Sequence, residues 1–329
     1  MKPVLFIIPK FEFKMYLGFI VASILLLGGI FLFLKSRVSN IKDLKKNITS
    51  YAILMMAIIT GAYIFAPIPI RTYGVAVALG FLAALYIAIK IGKNENINPE
   101  YILDLGVYVL IGTVLGARLF YFLFYDFNYL IQNPLKFFAV WEGGMVFYGG
   151  LIGAIFTGYY YVKKRKLDVL KISDIVGVVV PLGLFFGRWG CFGYGCCFGK
   201  VAPEKFPFAI RFPAKHFYGY SPAFEHQLFE GLVKHTDKFS LPVYPTQIIS
   251  SINGLLLFII LYLLYKHKKF NGQIASLSLI FYAITRFLIE FMRVNPEFLG
   301  LTVSQWISIL MTILGIWLYK YSKLIREKR

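Results

Sequence analysis

The run PLGLFFGRWGCFGYGCCFGK, residues 181–200, places an arginine at the end of an apolar segment and follows it with a turn rich in glycine and thiol. Charge at membrane depth is costly, so an arginine in the position of Arg188 marks a functional-site candidate. The glycines threaded through the turn let backbone amides come close to a ligand, since glycine has no Cβ and tolerates positive φ. Together these features point to a site for an anionic group at one face of a membrane. Composition supports the membrane half of that reading. Hydrophobic residues make up 58% of the 329 and charged residues 16%, against roughly 25% charged in a soluble globular chain.

Outward from this run, apolar stretches of about 20 residues, the length of a membrane span, recur at about 15–34, 48–67, 70–90, 102–124, 140–162, 170–188, 246–265, 273–292 and 302–320. Their order is tested by the rule that short cytoplasmic loops collect Lys and Arg. Lys35, Arg37, Lys42, Lys45 and Lys46 follow the first span, and Lys163, Lys164, Arg165, Lys166 and Lys171 follow the fifth. Lys266, Lys268 and Lys269 follow the seventh, and Lys320, Lys323, Arg326, Lys328 and Arg329 form the tail. The exit of the third is weaker, with Lys90 and Lys93 against Glu95 and Glu100. The sequence therefore reads as an all-α integral membrane protein of about nine transmembrane helices, with the N-terminus outside and the C-terminus cytoplasmic. Residues 200–244 become a small cap on the outer face, with a helical portion near 222–233. The formal charge of +19 is a loop-orienting charge, and no nucleic-acid-binding motif accompanies it. No cleavable signal peptide is expected, since the first apolar run is too long for a signal core.

Three groups of residues carry candidate chemistry besides Arg188. Arg71, Thr72, Tyr73 and Gly74 open the third span. The fifth contains Tyr148-Gly149-Gly150 and Gly153, where Gly149 and Gly153 make the small-xxx-small pattern of close helix packing. Tyr148 beside them reads either as an interfacial-belt tyrosine or as a phenol that hydrogen-bonds a ligand. Arg286, Glu290 and Arg293, spaced by four and three, are expected on one helical face. They form either a self-satisfied cluster or a carboxylate that orients arginines toward an anion, with Arg118 and Arg188 as further members. At outer-leaflet depth that anion is a phospholipid phosphate, which arginine holds bidentately. Cys191, Cys196 and Cys197 follow a C-x4-C-C spacing that is not a zinc pattern, so no metal is expected and a disulfide or buried inert thiols are the readings. No cofactor is expected either, as no nucleotide-binding motif is present.

At five of these motifs the chain resembles the prolipoprotein diacylglyceryl transferase family. They are IRTYGVAVALGF (70–81), VLGARLFYFLFYDFNYLIQNPLKFFAVWEGGMVFYGGLIG (114–153), GRWGCFGYGCCFG (187–199), PVYPTQ (242–247) and YAITRFLIEFMR (282–293). The resemblance runs from about residue 69 to the C-terminus. It implies a seven-span transferase core at 69–329, preceded by a two-span extension at 1–68, in the bacterial plasma (inner) membrane. It also implies transfer of a diacylglyceryl group from phosphatidylglycerol to the lipobox cysteine thiol of prolipoproteins, with release of glycerol phosphate. By motif position, Arg188 and Arg286 correspond to the family's essential arginines, Tyr73 to its tyrosine and Gly199 to the glycine closing its signature. Tyr148 is assigned with the two arginines to catalysis. Tyr73, Arg71, Gly149, Gly199, Cys191, Cys196, Glu290 and Arg293 are assigned to substrate binding. The chain departs from the family pattern where Tyr148 replaces a histidine, Cys191 an asparagine and Cys196 a glutamate, and where Tyr244-Pro-Thr-Gln247-Ile-Ile-Ser250 lacks a histidine and a glutamate. The anion-binding half of the site is retained and the proton-handling half altered. A transferase with the same lipid and another acceptor, or a non-catalytic lipid-binding or transport protein, are the competing readings.

Overall fold

The computed structural model describes Val4–Phe6 and residues 70–139, 143–203, 205–216 and 219–327. The first two apolar stretches, the extension at 1–68 apart from Val4–Phe6, and Trp141 and Glu142 lie outside the described residues. All seven remaining apolar stretches are helices: α1 (Thr72–Asn94), α2 (Pro99–Phe124), α4 (Phe147–Lys164), α5 (Val169–Tyr194), α7 (Thr246–Tyr265), α8 (Gln273–Glu290) and α9 (Val303–Glu327). The short helices α3 (Phe127–Gln132) and α6 (Pro222–Phe229) complete the set. Six of the helices are long and apolar enough to cross a membrane, α4 not among them. It starts at Phe147, later than the expected 140, and its 18 residues include four tyrosines and two lysines. Large apolar side chains stand exposed along the helices, among them Phe156, Leu310 and Trp317, at 71%, 65% and 57%. Side chains of this kind need an apolar surrounding. The protein is a multi-pass, mostly helical membrane protein.

The described chain divides into two compact units. The larger comprises Leu79–Phe186 and Ile249–Arg329. Its core joins Ile91, Ile102, Leu105, Tyr161, Ile175, Val178, Leu261 and Ile274. Local chemistry sets the helix starts. Asn98 caps α2 by accepting from the Glu100 amide at 3.0 Å, with Pro99 in the first turn where its missing N–H is harmless. Asp168 caps α5 through the Leu170 and Lys171 amides. The fully buried Asp174 accepts from the amides of Gly272 and Ala275, both at 2.9 Å, and so places a carboxylate on the N-terminus of α8. Pro181 inside α5 cannot bond the carbonyl four residues earlier. The Ser278 hydroxyl donates to that carbonyl, Gly177 O, at 2.8 Å instead.

Helices α2 and α4 meet through interlocked glycines. A Cβ at Gly153 would stand 2.1 Å from Gly112 O, and one at Gly149 would stand 2.4 Å from both Gly116 O and Phe120 Cβ. Gly149 therefore serves the close helix packing that the small-xxx-small pattern reads. Gly153→Ala is expected to cost about 1–3 kcal/mol by overpacking. The measurement is the midpoint of heat inactivation in detergent; an unchanged midpoint would show that the crossing yields freely.

At the far end of the same unit, Glu95 meets Lys268 at 2.7 Å and Lys171 at 2.9 Å and accepts from the Tyr265 hydroxyl at 3.0 Å. Burial works against its charge. The bonds from Lys268, Lys171 and Tyr265 outweigh it and hold the carboxyl at about 2, below its ordinary 4.5. A depressed carboxylate contributes stability that is present above its unfolded value and lost as pH falls through the folded one. Wild type should therefore lose stability from pH 4.5 downward to about 2. Glu95→Gln should be less stable at neutral pH and flatter over that window. Parallel acid-unfolding curves would refute the assignment.

The smaller unit takes in Gly187–Ile248 and the described residues up to Ala78. Here Val4–Phe6 (β1) pairs antiparallel with Ile70–Arg71 (β2), and Lys215–His216 (β3) with Gly219–Tyr220 (β4). The 200–244 segment folds around Phe212, Ala223 and Val243, laced by single bridges from Val201 and Ile210 to Val243. Its helix α6 is shorter than expected, ending before Gly231, whose φ of +72° lies in the left-handed region that stops a helix.

Candidate functional site

In the smaller unit, the signature turn is a helix ending of defined geometry. The Cys196 amide donates to Cys191 O at 3.2 Å and the Gly195 amide to Phe192 O at 3.2 Å, with Gly195 at φ +80°. This is the Schellman pattern, which brings the side chains three before and two after the helix end together. Those positions are Cys191 and Cys196. Cys197 follows at φ +58°, and the three sulfurs all lie within 4.8 Å of one another. No disulfide joins them, and of the two readings the sequence offered the three are thiols, Cys191 buried and the others half-buried. Hydrogen bonding to Cys191 and Cys197, together with burial, pushes the Cys196 thiol above its ordinary range.

The turn is held from the PVYPTQ motif. Gln247 Nε2 donates to Cys196 O and Thr246 Oγ1 to Cys197 O, both at 2.8 Å. The Gly199 amide donates to Tyr244 O and the Tyr244 amide to Lys200 O. Gly199, buried, is thus a backbone partner of the motif. Phe192 and Phe198 seat the turn on the core of the 200–244 segment. Sequence reasoning quoted Thr246 and Gln247 without giving them this role, because a side chain that holds a distant carbonyl leaves no periodic signal.

Tyr73 and Arg188 belong to the same unit. A Cβ at Gly190 would stand 2.9 Å from Tyr73 Cδ2 and 3.1 Å from its Cα, so the glycine admits the start of α1 against the end of α5. Tyr73 lies within electrostatic reach of Arg188 and all three thiols. Arg188 is half-buried. The Arg71 side chain lies outside the described residues.

In the larger unit, Glu290 is 1% exposed and forms an ion pair with Arg286 Nη1. It accepts from Asn295 and, at 3.1 Å, from Thr302 Oγ1, while Arg286 Nη2 donates to Ser304 Oγ at 3.1 Å. Asn295 and Thr302 reach Glu290 because the chain reverses in a hairpin, Glu297–Phe298 (β5) with Leu301–Thr302 (β6). Helix α8 ends at Glu290, so Arg293 lies beyond it, and the single helical face expected for all three residues holds only for Arg286 and Glu290. Arg293 Nε is buried with no hydrogen-bond partner among the described residues.

Arg118 does not join an anion site. It is 3% exposed, and its guanidinium donates to the carbonyls of Lys136, Phe137, Ala139, Gly143 and Gly144. It organises the loop between α2 and α4. Tyr148, the second residue of α4, is 47% exposed with its ring against Phe147. That exposure leaves the phenol accessible.

In one unit, then, a half-buried arginine is ion-paired to a buried carboxylate, and in the other a half-buried arginine precedes a glycine turn. Residues 62–321 match the family model of prolipoprotein diacylglyceryl transferase. The chain belongs to that family. It is 36% identical to the phosphatidylglycerol–prolipoprotein diacylglyceryl transferase of Idiomarina loihiensis over 260 residues, covering 77% of this chain and 89% of that one. Identity is again 36% over 263 residues with the enzyme of the same name from Buchnera aphidicola, covering 77% and 92%. With that of Neisseria meningitidis it is 33% over 258 residues, covering 76% and 90%. The chain is thus a diacylglyceryl transferase by family.

Proposed function

We propose that this protein transfers a diacylglyceryl group from phosphatidylglycerol to the lipobox cysteine of prolipoproteins, releasing glycerol phosphate, in the bacterial plasma membrane. The observation that carries the reading is the family match over residues 62–321 with Arg188 and Arg286 both kept. The reaction has two requirements. Charge on the departing phosphate must be stabilised, and the acceptor thiol, with a pKa of about 8.5, must become a thiolate. Arg188 and Arg286 are assigned to the phosphate. Glu290 orients Arg286, and the buried Arg293 Nε supplies a further donor. Tyr73 positions the headgroup with the glycine turn, Arg71 lies two residues earlier at the end of β2, and Cys191 and Cys196 line the turn.

The nine-span topology belongs to the same proposal. Its support is the loop charge, the seven helices found over the described apolar stretches, and a family match that begins at residue 62, near the end of the second apolar stretch. The 200–244 segment then caps the outer face.

The test is transfer of labelled diacylglyceryl from phosphatidylglycerol to a lipobox peptide by the purified full-length protein in detergent. Arg188→Ala should insert normally and lose about 10²–10³-fold in rate, the effect of removing one preorganised donor to a developing anion. Absence of transfer by wild type with phosphatidylglycerol still bound would favour a lipid-binding role instead.

A further inference from the structure

We propose that Cys191, Cys196 and Cys197 form a three-thiolate site for zinc, and, resting on the transferase reading above, that its open fourth position binds and activates the acceptor thiol. The linear spacing hides this site because the Schellman ending, not a zinc-binding loop, brings the sulfurs together. Zinc holds thiolates at about 2.3 Å, which sets tetrahedral sulfurs roughly 3.8 Å apart. The sulfurs already lie within 4.8 Å of one another, so small side-chain rotations close the difference. The scaffold is fixed before any ion arrives, with the carbonyls of Cys196 and Cys197 held by Gln247 and Thr246. Cys191 is buried and the other two are half-buried, which leaves one side of the cluster approachable.

Ligand chemistry selects the ion. An all-sulfur donor set excludes magnesium and calcium and suits zinc or another soft ion. Three protein ligands with one open position is the pattern of catalytic rather than structural zinc. Three thiolates and one divalent ion carry a net negative charge, and Arg188 lies within electrostatic reach of Cys191 to offset it.

The cluster also answers a need of the reaction. The four histidines stand at 216, 226, 235 and 267, none of them in the signature turn. Among the described residues neither histidine nor carboxylate joins the thiol group. A thiol that coordinates such an ion is deprotonated outright. In the proposed step the acceptor S–H releases its proton to solvent on coordination. Its sulfur lone pair then forms a bond to the glyceryl methylene carbon. The bond from that carbon to the phosphate oxygen breaks, and its electron pair leaves on glycerol phosphate. The product thioether is a neutral, weaker ligand, and its departure reopens the position. No oxidant or reductant is consumed.

The test uses full-length protein, purified reduced and stripped of metal in detergent, and titrated with cadmium as the probe. A sulfur-to-cadmium charge-transfer band saturating at one equivalent, reversed by zinc, is expected. Cys196→Ser, a substitution at a half-buried position, should weaken binding by more than the ~10–100-fold that outer-sphere changes cost. Absence of the band overturns the site, as does finding two of the three thiols held in a reducible bond. If the site binds, stripped protein should lose transfer and regain it with zinc. Binding with transfer indifferent to stripping would overturn the activating role. Binding with no transfer under any metal would leave the site standing and defeat the transferase reading instead.

Discussion

Glu290→Ala is expected to cost about 3–5 kcal/mol of stability, the range for breaking a buried ion pair by removing one partner. The carboxylate is 1% exposed and gathers Arg286, Asn295 and Thr302. Truncating it leaves a half-desolvated guanidinium and two donors without their acceptor, each a separate penalty. Transfer should fall with it, by two orders of magnitude or more, because Arg286 loses the group that aims it. Heat inactivation in detergent and the labelled-transfer assay read the two effects separately. Replacing both Arg286 and Glu290 by methionine should recover much of the stability and none of the activity. A thermally wild-type Glu290→Ala protein would show that the pair contributes nothing to the fold.

Arg118→Met should be nearly as damaging to the fold, at about 3 kcal/mol or more, since a hydrogen bond to a charged group contributes about 1.5–3 kcal/mol and five are lost together. The carbonyls concerned all belong to residues 136–144, and their partner is the one planar fork able to meet five acceptors. Lysine offers three donors on a single nitrogen, so Arg118→Lys should rescue only part of the loss. The direct readout is proteolysis of the chain between α2 and α4, which should accelerate in Arg118→Met before the rest of the protein is cut. Unchanged cleavage of that loop would contradict the role.

Much of the architecture was legible before any coordinates. Each of the seven apolar stretches within the described residues is a helix; the ends differ from the expectation by up to seven residues and the starts by no more than three, except at α4. There the glycines 143 and 144, both at positive φ, and the 3₁₀ turn Pro134–Phe138 delay the helix to Phe147. Glycine pairs in α2 and α4 announced a close crossing, and the structure assigns Gly149 to it. The site was legible in its residue types but not in its connections. Arg118, Arg188 and Arg286 looked alike in sequence, as did the thiols and the motif that holds them.

What the sequence by itself determined was the medium and the inventory: a helical membrane chain, a basic side, and arginines with thiols gathered at a few motifs. Those properties follow from hydropathy and charge, which are carried by each residue whatever its neighbours. Which arginine is saturated and which is aimed was decided only by tertiary structure. Arg118 finds carbonyls 18–26 positions away, and Arg286 finds a carboxylate four positions away with Ser304 beyond it. The thiols likewise converge through a left-handed helix ending held by side chains about 50 positions downstream. Satisfaction of a buried polar group depends on what the fold brings within about 3 Å of it, and no local pattern in the chain records that.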